Sequence, residues 1–148
     1  MIQLRPYQED GLEAIWDYFS SGKTGNPCLA WPTGTGKSII PAVFIERIMK
    51  VWPTQRFMMV THVKELIAQN AEVLRLVWPT APLGIYSAGL ASRDVAYPII
   101  YAGIQSAIKR PMAFGHRDII FIDEAHLVNQ EESSMYLTFL ATMKLINP

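Results

Sequence analysis

The chain has 148 residues, half of them hydrophobic, and its 13 basic and 13 acidic residues cancel to a net charge of zero. A chain of this size can bury one core, and it carries no overall field that would attract a polyanion or an anionic membrane. The single cysteine excludes an internal disulfide, and the 3 histidines lack the spacing of a structural zinc site.

The first third of the chain predicts a helix, a strand, a glycine-containing loop and a second helix. Pro6 can open a helix whose apolar residues recur at helical spacing as far as Ser20. After a loop, residues 28–31 predict a short buried strand, with Cys28 in the core. This strand leads into residues 32–38, called the phosphate loop below, and a helix is predicted from Gly36 to a point before Pro53.

The remaining elements alternate between strand and helix. Strands are predicted at residues 56–60, 83–86, 98–101 and 119–122, and helices at residues 63–77, 104–109 and 135–145. Apolar strands that alternate with helices imply an α/β fold, in which a mainly parallel sheet has helices on both faces.

The phosphate loop has the composition of a triphosphate-binding P-loop. Its glycines let the backbone curl so that successive N–H groups converge on phosphate oxygens, and the following helix adds its positive end. Lys37 is expected to reach the β- and γ-phosphates, and Ser38 to ligate Mg²⁺. Trp31 stands where the full motif has its first glycine, so a glycine-rich turn that merely ends in Lys-Ser is the alternative. The predicted nucleotide-binding residues here are Thr33, Gly34, Thr35, Gly36, Lys37 and Ser38.

Two adjacent carboxylates, Asp123 and Glu124, end the clearest predicted strand. The carboxyl edge of a parallel sheet is where α/β proteins bind ligands. One of the two carboxylates can hold Mg²⁺, and the other can orient or deprotonate the attacking water. The alternative is a solvated helix start, a position that both residue types favour.

The phosphate loop followed by Asp123-Glu124-Ala125-His126 resembles the N-terminal RecA-like ATP-binding domain of superfamily 2 DEAD/DEAH-type helicases. Within that superfamily, the chain is most similar to the branch related to restriction-enzyme motor subunits. The resemblance implies ATP and Mg²⁺ as cofactors, with Asp123 on Mg²⁺ and Glu124 activating water. It also implies a role for His126 in coupling the nucleotide site to the rest of the motor. The opening Leu4-Arg5-Pro6-Tyr7-Gln8 is similar to the family's adenine-recognising element, so Arg5 and Gln8 are assigned to nucleotide binding, with Gln8 on the base edge.

Two further segments resemble the family's contacts to nucleic-acid phosphates. The first supplies Thr61, His62 and Lys64, and the second supplies Gly103, Gln105 and Ser106, with Gly103 in place of the customary threonine. Such contacts position a strand without reading its sequence. Ordinary loops between strand and helix are the alternative for both segments. DNA is the favoured partner over RNA.

The whole chain, residues 1–148, is therefore interpreted as one RecA-like domain that ends before the Ser-Ala-Thr motif, without the second RecA-like domain. Weak nucleotide binding and little turnover are expected of it alone, because an arginine finger from that second domain can contribute about 10³–10⁵ in rate. The alternatives are a non-enzymatic nucleotide-binding module that self-associates through an incomplete sheet, and a small-molecule kinase. A secretion signal and any membrane-spanning apolar run are missing, so we expect a cytoplasmic protein.

Overall fold

The computed structural model describes residues 2–32, 34–125 and 130–147, apart from the Glu132 side chain, so the predicted site residues Thr33 and His126 lie outside the described residues. The helices are α1 (Pro6–Ser20), α2 (Ile39–Val51), α3 (Lys64–Val77), α4 (Ile104–Ala107) and α5 (Gln130–Ile146). The strands are β1 (Phe57–Thr61), β2 (Leu83–Ser87), β3 (Ser92–Arg93), β4 (Ile99–Gly103) and β5 (Ile119–Ile122). None of the described helices has both the length and the apolar composition needed to cross a bilayer.

The five strands form one sheet in the order β3-β2-β4-β1-β5. Strand β1 runs parallel to both β4 and β5, and β2 runs parallel to β4, whereas the two-residue β3 pairs with β2 in the antiparallel sense. The predicted α/β fold with a mainly parallel, RecA-like sheet is therefore confirmed. All the parallel strands end at the same edge, which brings together the residues that follow them.

Two apolar clusters cover the two faces of the sheet, because alternate residues of each strand point to opposite sides. On β1, Phe57 and Met59 pack against α1, α2 and α3, whereas Met58 and Val60 pack on the side of α4 and α5. Helices thus lie on both faces, as the continuous apolar strands predicted.

The prediction of a buried strand at residues 28–31 was wrong. The segment has no regular secondary structure, Cys28 is exposed and Leu29 is 39% exposed. A strand gains its hydrogen bonds only from a neighbour, and in the described part of the chain β5 pairs with β1 alone. The apolar composition of the segment was read correctly, but no described strand pairs with it.

Trp31 is anchored by α1. Gly11 lies on the buried face of this helix, and a Cβ added to it would overlap the Trp31 indole. The Tyr7 ring meets Trp31 edge to face, with ring centroids 6.4 Å apart. Glycine weakens a helix interior, so the close approach of the indole gives the physical reason for Gly11. The residue that departs from the P-loop pattern therefore holds the start of the phosphate loop against α1.

Candidate functional site

The described part of the phosphate loop leads directly into α2. Gly34 and Gly36 adopt φ angles of 81° and 70°, in the left-handed region that glycine enters without strain. The Thr35 hydroxyl donates to the Pro32 carbonyl at 2.8 Å, which closes the loop on itself. Ser38 is the residue immediately before α2, so the predicted phosphate-binding residues sit at the positive end of a 13-residue helix.

Tyr7 and Gln8, at the start of α1, hold the phosphate loop by its backbone. The Tyr7 hydroxyl donates to the Thr35 carbonyl at 2.5 Å, and Gln8 Nε2 lies 3.3 Å from the carbonyl oxygens of both Thr35 and Gly36. Gln8 Oε1 accepts from the Arg5 backbone N–H at 2.9 Å, and the exposed Arg5 side chain donates to the Tyr7 hydroxyl at 3.3 Å. Gln8 is 6% exposed, so it is a buried polar residue that contacts the loop.

The ammonium of Lys37 lies 2.7 Å from Glu124 Oε1, with the two side chains only 24% and 11% exposed. The fold thus brings the predicted phosphate-binding cation against the predicted water-activating carboxylate. Glu124 has a φ of 52°, which is uncommon for a residue with a side chain. Residues held in such conformations cluster at functional sites, where the surrounding structure stabilises them.

Asp123 is fixed from two sides. Its backbone N–H donates to the Val60 carbonyl at 3.2 Å, and its carboxylate Oδ2 accepts from Asn70 Nδ2 at 2.7 Å. Burial, and to a lesser extent the negative charge of Asp123, raises the pKa of the Tyr101 hydroxyl above its usual range. The Tyr101 phenol is therefore neutral at physiological pH.

The side-chain oxygens at this edge of the sheet are of the kind that binds a magnesium ion. Mg²⁺ prefers hard oxygen ligands and takes one or two protein oxygens together with phosphate oxygens and water. The Ser38 hydroxyl and the Asp123 carboxylate are of this type, and they belong to the two segments that the Lys37–Glu124 ion pair joins.

The two predicted nucleic-acid segments meet at the same edge. Thr61 and Gly103 end the paired strands β1 and β4 and are partners in the register of the sheet. Gln105 Nε2 donates to the His62 carbonyl at 3.2 Å, which links the two segments directly. A Cβ at Gly103 would lie 3.3 Å from Ile67 Cδ1, so the customary threonine would be tightly packed here.

The polar side chains of these two segments differ in their exposure and in their hydrogen bonding. Thr61 is buried and its hydroxyl accepts from the Val63 N–H, and the Ser106 hydroxyl accepts from the Ala88 N–H at 3.0 Å. Lys64, the first residue of α3, is exposed. The buried His62 Nδ1 has no hydrogen-bonding partner among the described residues.

A basic cavity of about 290 Å³ opens beside Ser106. Its wall includes Arg93, Lys109 and Arg110, and the Arg93 guanidinium lies over the Tyr86 ring, 5.4 Å from the ring centroid. Sequence reasoning missed this cluster, because Arg93 lies on β3, far along the chain from the adjacent Lys109 and Arg110, and only the fold brings them together. A local concentration of positive charge in a neutral chain is the physical signature of an anion-binding surface.

Sequence reasoning also missed Asn70 and Tyr7. Asn70 interrupts the apolar face of α3 formed by Ile67, Ala71 and Leu74, and a polar residue in such a face is a recognisable signal. Tyr7 lies inside a segment that sequence reasoning had singled out for Arg5 and Gln8, and its phenol marks it as a hydrogen-bond donor.

Comparisons with known proteins identify the family of the chain and support its fold. The family model described as "Type III restriction enzyme, res subunit" matches residues 1–146. Among solved structures, the chain is similar to a nuclease-deletion mutant of the Type ISP restriction-modification enzyme LlaGI in complex with a DNA substrate mimic, with a TM-score of 0.66 and 16% sequence identity. This likeness covers 84% of the present chain and 15% of the LlaGI chain. No curated protein matches the chain.

Proposed function

Because the chain belongs to the family of type III restriction enzyme res subunits, which are superfamily 2 helicase-like proteins, we propose that it is the ATP-binding motor domain of a nucleic-acid translocase or helicase. The observation that carries the proposal is the contact between Lys37 and Glu124 across the edge where the phosphate loop and β5 end. It brings together a group that can bind phosphate and a carboxylate that can orient water, and nucleotide hydrolysis uses both.

In this proposal the chain's residues divide the work of ATP hydrolysis. Lys37 and the N–H groups of the phosphate loop bind the phosphates, and Glu124 orients or deprotonates the attacking water. Ser38 and Asp123 hold Mg²⁺, which supplies charge neutralisation on the phosphates when bound. His126, which lies outside the described residues, retains the coupling role that the family implies. Gln8 and Arg5 contribute to nucleotide binding, and the hydrogen bonds of Gln8 to the phosphate loop support this.

The proposed partner is nucleic acid, with DNA favoured over RNA. The LlaGI structure contains a DNA substrate mimic, which supports the same class of partner here. A nucleic-acid strand would run along this edge of the sheet towards the basic cavity. The residues proposed to contact it are Thr61, His62, Lys64, Gly103, Gln105 and Ser106. Contacts of this kind bind the phosphate backbone, so binding should weaken strongly as the salt concentration rises.

The whole chain, residues 1–148, would form the N-terminal of two RecA-like domains. The second domain would supply arginine fingers to the γ-phosphate, and such a residue contributes about 10³–10⁵ in rate. The chain alone should therefore bind nucleotide but turn it over slowly.

Titration of a fluorescent ATP analogue in the presence of Mg²⁺ tests the proposal. Lys37→Ala should weaken binding by about 10- to 100-fold, because hydrogen bonds to charged groups contribute roughly 1.5–3 kcal/mol. The matched control is Lys50→Ala, which removes an exposed lysine near the C-terminal end of α2, away from the phosphate loop, where it pairs with Glu46. Equal affinity in the wild type and Lys37→Ala would exclude the proposed site.

A further inference from the structure

Asn70 is a buried polar residue in an otherwise apolar setting. It is 2% exposed and lies on the face of α3 that carries Ile67, Ala71 and Leu74 into the core. Burial of an amide is unfavourable unless its hydrogen bonds are made inside the protein. The partners of Asn70 therefore indicate what this side chain is for.

The stronger of its two contacts is to the candidate metal-binding carboxylate. Asn70 Nδ2 donates to Asp123 Oδ2 at 2.7 Å, and it also lies 3.2 Å from the Met59 sulfur. A thioether is a weak acceptor, whereas a hydrogen bond to a carboxylate is charge-assisted and short. Asn70 thus fixes one oxygen of Asp123, while the backbone of Asp123 is held separately by Val60.

We propose that Asn70 is a positioning residue for Mg²⁺ binding, which holds Asp123 Oδ2 so that Oδ1 is presented to the ion. Among the residues that the structure describes, no protein donor reaches Oδ1. Groups that hydrogen-bond a metal-ligating carboxylate orient it, and their loss typically lowers metal affinity by about 10- to 100-fold. The inference rests on the proposed function, because that proposal assigns Asp123 to Mg²⁺.

The test measures how binding of a fluorescent ATP analogue by the full chain depends on the Mg²⁺ concentration. Asn70→Leu keeps the branching and the number of heavy atoms of the side chain and removes the donor. We expect the Mg²⁺ concentration at half-maximal binding to rise about 10- to 100-fold. Nucleotide affinity in EDTA should stay at the wild-type value, since Asn70 contacts no part of the phosphate loop in the hydrogen bonds described.

Val73→Ala is the control for a general weakening of α3, because Val73 lies about one turn away on the same helix and packs against the same core. It should leave the Mg²⁺ midpoint unchanged. In an Asp123→Asn background, Asn70→Leu should have no further effect on the Mg²⁺ dependence, since a positioning residue acts only through the group that it positions. An additive loss in the double variant would show a purely structural role and overturn the inference.

The outcomes separate the inference from the proposed function. If nucleotide binding by the wild-type chain does not depend on the Mg²⁺ concentration, the result contradicts the proposed function itself. Wild-type chain with a clear Mg²⁺ dependence that Asn70→Leu retains unchanged contradicts only the role of Asn70. If Asn70→Leu does not fold, the nuclear magnetic resonance signals of the Asn70 side-chain amide in the wild type decide. They should shift when Mg²⁺ is added to the nucleotide-saturated chain, and their failure to shift overturns the inference.

Discussion

The side chains of Lys37 and Glu124 contact each other although the proposed reaction assigns them to different partners. The Glu124 carboxylate lies 2.7 Å from the Lys37 ammonium and balances its charge. A bound triphosphate would compete with Glu124 for Lys37, and the charge of Glu124 would repel it. Nucleotide binding must therefore break this ion pair, so the affinity for nucleotide is lower than it would be without the Glu124 charge.

Glu124→Gln should consequently tighten binding of an ATP analogue. A partly exposed ion pair contributes up to about 1 kcal/mol, so we expect an increase in affinity of roughly fivefold. Glu46→Gln is the matched control, because Glu46 pairs with Lys50 on α2 away from the phosphate loop. Isothermal titration calorimetry gives the comparison, and unchanged or weaker binding by Glu124→Gln would contradict the expected competition.

The residues of the candidate site could be predicted where they form a motif of consecutive residues. The phosphate loop and the pair Asp123-Glu124 are both of this kind, and their roles stay predictions that the binding experiments address. The sequence could not give the partners of Gln8 and Asn70, because each contacts residues far away along the chain. Those contacts depend on how α1 meets the phosphate loop and on how α3 lies across the sheet.

At the scale of elements, the contact between α1 and the segment that precedes the phosphate loop is the most specific. Gly11 leaves room for the Trp31 indole, while Glu9 forms a bidentate ion pair with Arg47 of α2 at 2.6 and 3.2 Å. Helix α1 thereby touches both sides of the loop, and it also supplies Tyr7 and Gln8. The position of the phosphate loop is thus set by a helix that precedes it in the chain.

Gly11→Ala should destabilise the protein although alanine favours helices by about 1 kcal/mol over glycine. The added methyl group would overlap Trp31, and overpacking of this kind typically costs about 1–3 kcal/mol. Thermal unfolding followed by circular dichroism measures the effect. In a Trp31→Ala background the same substitution should become neutral or stabilising, and a loss that persists there would contradict the assigned contact.

Most elements were predictable because their patterns are local. Residues 119–122 form β5 at the predicted bounds, and α1 ends where its apolar spacing ends. Helix α5 begins five residues before the predicted start, at Gln130 rather than Met135, and α4 is shorter than predicted. Strand β3 was missed because it has only two residues. The prediction of a strand at residues 28–31 was wrong because a strand needs a neighbouring strand to pair with, and the local sequence does not show whether one is there.

At the scale of the whole molecule, β5 forms one edge of the sheet, and no described strand pairs with its outer side. In the described part of the chain β5 bonds only to β1, and its four residues are half-buried. An apolar groove of about 220 Å³ lies beside it, lined by Trp16, Phe19, Phe44, Ile48, Trp52, Gln55 and Ile119. An unpaired, apolar strand edge can pair with another chain, so self-association, one of the alternatives that the sequence left open, would use this edge.

We therefore expect the mass in solution to rise from monomer towards dimer as the protein concentration is increased. Ile119→Lys should shift the chain to monomer, because a lysine on an edge strand disfavours pairing with a second chain. Leu76→Lys, at an exposed position on α3, is the control. Light scattering after size exclusion gives the mass, and a strictly monomeric wild type over the whole concentration range would exclude self-association through β5.

The position of Gln8 would couple recognition of the base to binding of the phosphates. Its amide holds the carbonyls of Thr35 and Gly36, so a base that engages this amide must share or replace those hydrogen bonds. Recognition of the base and grip on the phosphates then become coupled equilibria, and by thermodynamic reciprocity each must change the other by the same factor. A nucleotide with the wrong base would be rejected through a loosened hold on its phosphates as well as through its own missing hydrogen bonds.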